Sequence, residues 1–239
     1  MSISNEPGSV FFASNVINAD LQRPLAAEAL GTALLLAVVV SSGILAEHLA
    51  GGNAALALIG NTFATVVVLG VLSTVLAPVS GAHFNPAFTL VLVLRGELPR
   101  ATGAWYALAQ LLGALVGVVI AHAMSSQELF QVSTNTRASG GALIAEAVAT
   151  FGLVLLALVC RHEHRSTAWA IAAYVGGAFW FTASASLANP AATIARAFTD
   201  SFGGIAPLDV VGFAIAQVAA TLVAHAFAKW LFVTQAPPD

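Results

Sequence analysis

Two tripeptides dominate the chemistry available to this chain: Asn85-Pro86-Ala87 and Asn189-Pro190-Ala191. Asn is favoured as a helix N-cap because its side-chain carbonyl accepts a backbone N–H from the first turn. Proline suits the first helical position, where its missing N–H costs nothing. Each triplet therefore predicts a helix start, and capping leaves the NH2 groups of Asn85 and Asn189 free to donate elsewhere. The stretches that follow, about 87–94 and 191–198, are apolar but far shorter than the roughly 20 residues a bilayer crossing needs. A re-entrant half-helix fits them, dipping in and returning to the same side. If the two helix starts meet, with small Ala87 and Ala191 permitting close approach, each N-terminus contributes roughly half a positive charge. That field repels cations, protons included, while the Asn amides offer donors to the oxygen of an uncharged hydroxylic solute.

Glu28 and Glu146 lie inside long apolar runs, where an ionisable group is by default a functional candidate. Two roles fit them. They relay protons, or they accept N–H bonds from the non-helical loops that bring each half-helix in, whose backbone donors have no water to turn to. Their matching placement in the two halves favours bracing. His83, two residues before Asn85, either touches the pore vestibule or packs its loop. His162, Glu163 and His164 resemble a metal cluster, but their spacing does not suit one helical face and their arginine neighbours suggest a solvated turn. No metal site is expected, and no cofactor.

These residues are carried by a chain of 239 residues, 59% hydrophobic and 8% charged. A soluble domain carries about 25% charged residues, so an ordinary water-soluble globule is excluded. The net charge is −3 and no basic block exists, which argues against a nucleic-acid partner. A single cysteine, Cys160, excludes an intrachain disulfide. Six stretches are long and apolar enough to span as helices: 24–46, 54–77, 101–124, 140–160, 167–185 and 208–233. They lack the alternation of a spanning β-barrel. Residues 1–22 form a polar lead without the basic start of a signal peptide, and 23–239 read as one channel domain. An N-terminus in the cytoplasm puts Arg23, Arg95, Arg100, Arg161, Arg165 and Lys229 inside and only Arg137 and Arg196 outside, so both termini are expected to be cytoplasmic.

The halves are one unit repeated. Ala27-Glu28-Ala29 pairs with Ala145-Glu146-Ala147, Ala109-Gln110-Leu111 pairs with Ala216-Gln217-Val218, and the Asn-Pro-Ala triplets fall between. The first copy covers about 23–125 and the second about 138–235. Three spans per copy is an odd number, so the second copy enters from the opposite side. Such inverted repeats build a pathway at their interface near the midplane. The expected fold is therefore all-α: six transmembrane helices plus two re-entrant half-helices in two inverted repeats.

On Ala27-Glu28, Ser80-Gly81-Ala82-His83-Phe84-Asn85-Pro86-Ala87-Phe88-Thr89, Ala109-Gln110 and Ala188-Asn189-Pro190-Ala191, the chain resembles the major intrinsic protein family of aquaporins and aquaglyceroporins, from about residue 23 to 233. The resemblance implies a pore in each protomer, a homotetramer in membrane lipid, and loop-bracing roles for Glu28 and Glu146. It also implies a four-position selectivity filter beyond the Asn-Pro-Ala centre. Counting without gaps from the motifs, those positions are Thr65, Gly177, Ser186 and Ala192. Ala192 stands where family members usually carry arginine, and Thr193 where glycerol channels usually carry aspartate. Small side chains at all four make a wide, weakly polar opening. Arg196, one helical turn past Ala192, either places a guanidinium at the outer mouth or snorkels to headgroups or a carbonyl. The run from Asn189 to Arg196 also resembles bacterial aquaglyceroporin-like channels of arsenic-resistance operons, which implies a bacterial inner membrane and makes the neutral triol As(OH)3 a candidate solute.

The expected function is passive diffusion of small uncharged solutes such as glycerol-like polyols, with or without water. Catalysis has no support, for no nucleophile–base pair or cofactor loop is present. The alternatives are a water-selective channel, a proton-coupled secondary transporter using Glu28 or Glu146, and a non-conducting membrane junction protein.

Overall fold

A computed structural model describes residues 21–160 and 164–232, with side chains at all of these except 164–166. Most of the polar lead, and the cluster at His162, Glu163 and the His164 side chain, lie outside the described residues. The chain forms eight α-helices over this range: α1 (Gln22–Leu49), α2 (Ala54–Ser80), α3 (Pro86–Leu94), α4 (Arg100–Met124), α5 (Gly140–Cys160), α6 (His164–Phe181), α7 (Pro190–Ala195) and α8 (Pro207–Leu231). A 3-10 turn, Arg196–Phe198, extends α7. No strand occurs among the described residues. Each half thus runs long, long, short, long.

Five of the long helices have the length and apolarity to cross a membrane. In α6 the apolar portion is only Thr167–Phe181. The sequence pattern extends this span to 185, and the helix stops at Phe181 for a local reason. Ala185, Ser186 and Ala188 have φ of +54°, +40° and +44°, a left-handed region that no α-helix continues through. Thr182 closes the helix end, its hydroxyl donating to the Ala178 carbonyl at 2.6 Å and accepting from the Ser186 N–H at 2.9 Å.

The surface is the inverse of a soluble protein's. Leu30, Phe63, Val75, Ile144, Ile215 and Trp230 are more than half exposed, whereas Glu28, Gln110, Glu146 and Gln217 are completely buried. Lipid satisfies the first group. The second must be satisfied from within, because an unpaired polar group in hydrocarbon costs several kcal/mol.

Packing follows the repeat. α1 lies against α2 and α4, and α5 against α6 and α8. The halves join through α2 and α6, and each half-helix also packs on the last long helix of the other half, α3 on α8 and α7 on α4. α1 and α4 approach backbone to backbone: a Cβ added at Gly113 or Gly117 would stand 2.3 Å from the carbonyl oxygen of Ala29 or Ala33. Small residues at this spacing are what permit such contact in a membrane. The face of the bundle at which α1 begins and α8 ends is also the one into which the first re-entrant loop opens. The opposite face holds the α1–α2 turn, the long 125–139 connection and segment 196–206.

Candidate functional site

The two re-entrant loops meet between the halves. Asn85 and Asn189 are N-caps in extended conformation with proline at the first helical position, as local chemistry dictates. The Asn85 Oδ1 accepts from Ala87 N at 2.9 Å, and the Asn189 Oδ1 accepts from Ala191 N at 3.0 Å and Ala192 N at 3.3 Å. Their Nδ2 groups reach across the repeat. Asn85 donates to the Ala188 carbonyl and Asn189 to the Phe84 carbonyl, each at 2.8 Å. Each acceptor is the residue just before the other asparagine, so the loops are cross-tied by a symmetric pair of bonds. An amide carries two N–H donors. One on each asparagine is therefore committed to the opposite loop, and one remains for a solute.

The backbone before each asparagine is strained. Ala82 and Phe84 have φ of +49° and +48°, and Ser186 and Ala188 repeat the conformation at +40° and +44°. Such residues cost about 1–3 kcal/mol each and persist only where the surroundings hold them. The carboxylates hold them. Glu28 accepts from His83 N at 2.9 Å, Phe84 N at 2.7 Å, the Ser80 hydroxyl at 2.6 Å and Gln110 Nε2 at 2.8 Å. Glu146 accepts from Leu187 N and Ala188 N, both at 2.8 Å, and from Gln217 Nε2 at 2.7 Å. Every partner is a donor, the complement of an ionised carboxylate.

Two threonines complete the frame. Gln110 and Gln217 each donate a second bond at 2.9 Å, to Thr89 and Thr193 respectively. Thr89 and Thr193 stand four residues after Asn85 and Asn189, and that equal offset is the signal that sequence reading passed over. The symmetry breaks at His83. Its Nδ1 lies 3.0 Å from the Thr89 hydroxyl and its ring packs on Phe88 and Tyr106, while apolar Leu187 takes the matching place in the second loop.

Three of the four counted filter positions point inward. Thr65 is buried and its hydroxyl has no partner. Ala192 is buried in the apolar cluster that includes Leu69, one turn of α2 beyond Thr65. Ser186 is buried in the second re-entrant loop. Gly177 is the correction. It is exposed, and nothing stands within 4 Å of the place its Cβ would take. On α6 it lies four residues after Ala173 and three before Trp180, both of which line an apolar groove on the outer surface against α2. The inward side of α6 carries Ala172, Ala178 and Phe179 instead, all buried. An ungapped count misassigns this position because each residue turns a helix by about 100°, so one or two residues of loop decide which face is presented.

Arg196 is only 6% exposed, and its Nε donates to the Gly203 carbonyl. Of the alternatives expected for it, the carbonyl bond is the one formed. The carbonyl tether fixes it beside segment 202–204.

The sequence profile of the family described as "Major intrinsic protein" matches residues 15–168. The chain is 46% identical over 219 residues to "Aquaglyceroporin AqpS" of Rhizobium meliloti (strain 1021), covering 91% of this chain and 94% of that one. It is 30% identical over 106 residues to aquaporin-5 of Ovis aries, 42% of this chain and 40% of that one. Among solved structures, the aquaglyceroporin from Plasmodium falciparum superposes with a TM-score of 0.65 at 23% identity, covering 89% of this chain and 98% of that one, a likeness of fold. With this profile and a relative 46% identical over nearly its whole length, the chain belongs to the major intrinsic protein family, whose members are membrane channels and not enzymes.

Proposed function

We propose that the protein is a passive channel for small uncharged solutes of the glycerol type, with As(OH)3 as a second substrate of the same class. The observation that carries this reading is the pair of cross-tied asparagines, each with one N–H donor left over where two half-helices meet. Those donors suit a hydroxyl oxygen, and the two helix starts supply a field that disfavours cations. Thr65, Ser186 and Ala192 support a pore wide enough for a polyol, because none carries a side chain larger than threonine. Glu28 and Glu146 hold the loops rather than carry protons, since both are fully buried and every hydrogen-bond partner among the described residues is a donor.

The distribution of Lys and Arg supports cytoplasmic termini, which makes the face bearing 125–139 and 196–206 the outer one. A homotetramer in a bacterial inner membrane is the assembly that the family implies. The test is flux into vesicles reconstituted with the full chain. Glycerol and arsenite should enter far faster than into empty vesicles, without accumulating against a pH gradient. Water passing while glycerol does not would replace this reading with a water-selective channel.

A further inference from the structure

The outer face carries a second, half-buried guanidinium that the family's filter pattern does not contain. Arg137 belongs to the connection between α4 and α5, and its side chain donates from Nε to the Gly204 carbonyl at 2.5 Å and from Nη2 to the Phe202 carbonyl at 2.7 Å. Arg196 donates to the Gly203 carbonyl between them. The two cations thus share three consecutive carbonyls, on residues whose Cα atoms are about 3.8 Å apart. Neither guanidinium has a carboxylate within salt-bridge distance among the described residues. Neither Nη group of Arg196 has a hydrogen-bond partner among the described residues, and neither is fully buried, so both reach the exposed 6% of this residue.

The arrangement is built into the fold. The connection is laced to segment 196–206 by Ser133 N to Ala197 O at 2.9 Å, Asn135 Nδ2 to Ser201 O at 2.7 Å and Ala206 N to Asn135 O at 2.7 Å. Asp209 fixes the Arg137 backbone by accepting its N–H at 2.6 Å and that of Ala138 at 2.9 Å. His122, fully buried, ties the end of α4 to the same structure through the Leu129 carbonyl at 3.0 Å and the Thr199 hydroxyl at 2.9 Å. Gly204 admits no side chain, for its Cβ would stand 2.2 Å from the Thr199 carbonyl and 2.4 Å from the Ser133 hydroxyl. Two like charges are therefore held together by a rigid turn, with no salt bridge to either among the described residues.

We infer that Arg137 is a specificity-determining residue: together with Arg196 it forms the outer cation barrier of the pore, doing with two carbonyl-tethered guanidiniums what Ala192 cannot do. By holding the carbonyls of Phe202 and Gly204, Arg137 also fixes the turn on which the Gly203 carbonyl accepts from Arg196. The inference rests on the channel reading above. Coulomb's law for a charge near a protein surface makes the change in cation passage on the order of tenfold per charge removed.

The test measures Na+ and glycerol flux side by side in vesicles holding the full chain. Arg137→Gln should raise the ratio of Na+ leak to glycerol flux about tenfold. Arg137→Lys, which keeps the charge, should stay near the parent. Ser201→Asp adds a carboxylate beside the intact pair and should also raise this ratio several-fold, which decides the matter if Arg137→Gln does not assemble. A parental ratio in Arg137→Gln, or in Ser201→Asp where that must stand in, overturns the inference, as does an equal rise in Arg137→Lys. Absence of glycerol flux in the parent would instead overturn the channel reading itself.

Discussion

Replacing Glu146 by Gln is the sharpest test of what the buried carboxylates do. Glu146 accepts three hydrogen bonds, from Leu187 N, Ala188 N and Gln217 Nε2. A glutamine of the same shape has one acceptor oxygen and one NH2 donor. If its oxygen serves Ala188, the NH2 confronts the Leu187 N–H. If it serves Leu187, the NH2 confronts Ala188, and the unpartnered Gln217 Oε1 can turn to accept it. Either way one backbone N–H is left without an acceptor in a dry site, costing about 1–3 kcal/mol. The surviving bonds lose their charge assistance, about 1 kcal/mol each. The total is about 3–5 kcal/mol, concentrated on a loop that holds Ser186 and Ala188 at positive φ. Glu28→Gln should cost at least as much, because either the His83 or the Phe84 N–H loses its acceptor in the same way and three surviving bonds are weakened instead of two. The assay is thermal unfolding in detergent for both variants, paired with glycerol flux and with uptake driven by a pH gradient. The expected result is a lower melting temperature than the parent's for both variants, with glycerol flux falling alongside. A stable Glu146→Gln protein that had lost only pH-driven accumulation would refute the reasoning and establish a proton relay.

Ala192→Arg should cut glycerol flux about tenfold or more while water still passes, because it puts a long cation into the filter proposed at Thr65, Ser186 and Ala192; stopped-flow light scattering reads both, and unaltered glycerol flux would mean that Ala192 is not at the narrowing. Asn189→Asp removes the donor to the Phe84 carbonyl and sets a carboxylate beside it, so solute flux should be lost and cation leak gained, measurable in the same vesicles. Gly117→Val would drive a side chain into the Ala33 carbonyl, where even a Cβ stands at 2.3 Å, and should lower the melting temperature and the yield of folded protein by the amount of an overpacked core, about 1–3 kcal/mol or more.

The order Glu, Asn-Pro-Ala, Gln, written twice, was enough to determine the repeat, the half-helices and the apolar spans, because these depend on local events. An N-cap bond joins residues two apart, as from Ala87 N to the Asn85 side chain, and a spanning helix is recognised by its own composition. Tertiary structure alone decided the rest. The bonds that tie the loops together join residues 103 and 105 apart, and no local pattern announces them. They take up half of the amide donors that the chain, read linearly, leaves free. Gly177 turned outward for a related reason, since the face a helix presents depends on the length of its loops and on the neighbours that seat it. Arg137 and Arg196 are 59 residues apart by their numbering. Only the folded turn at 202–204, offering three carbonyls in a row, makes neighbours of the two charges.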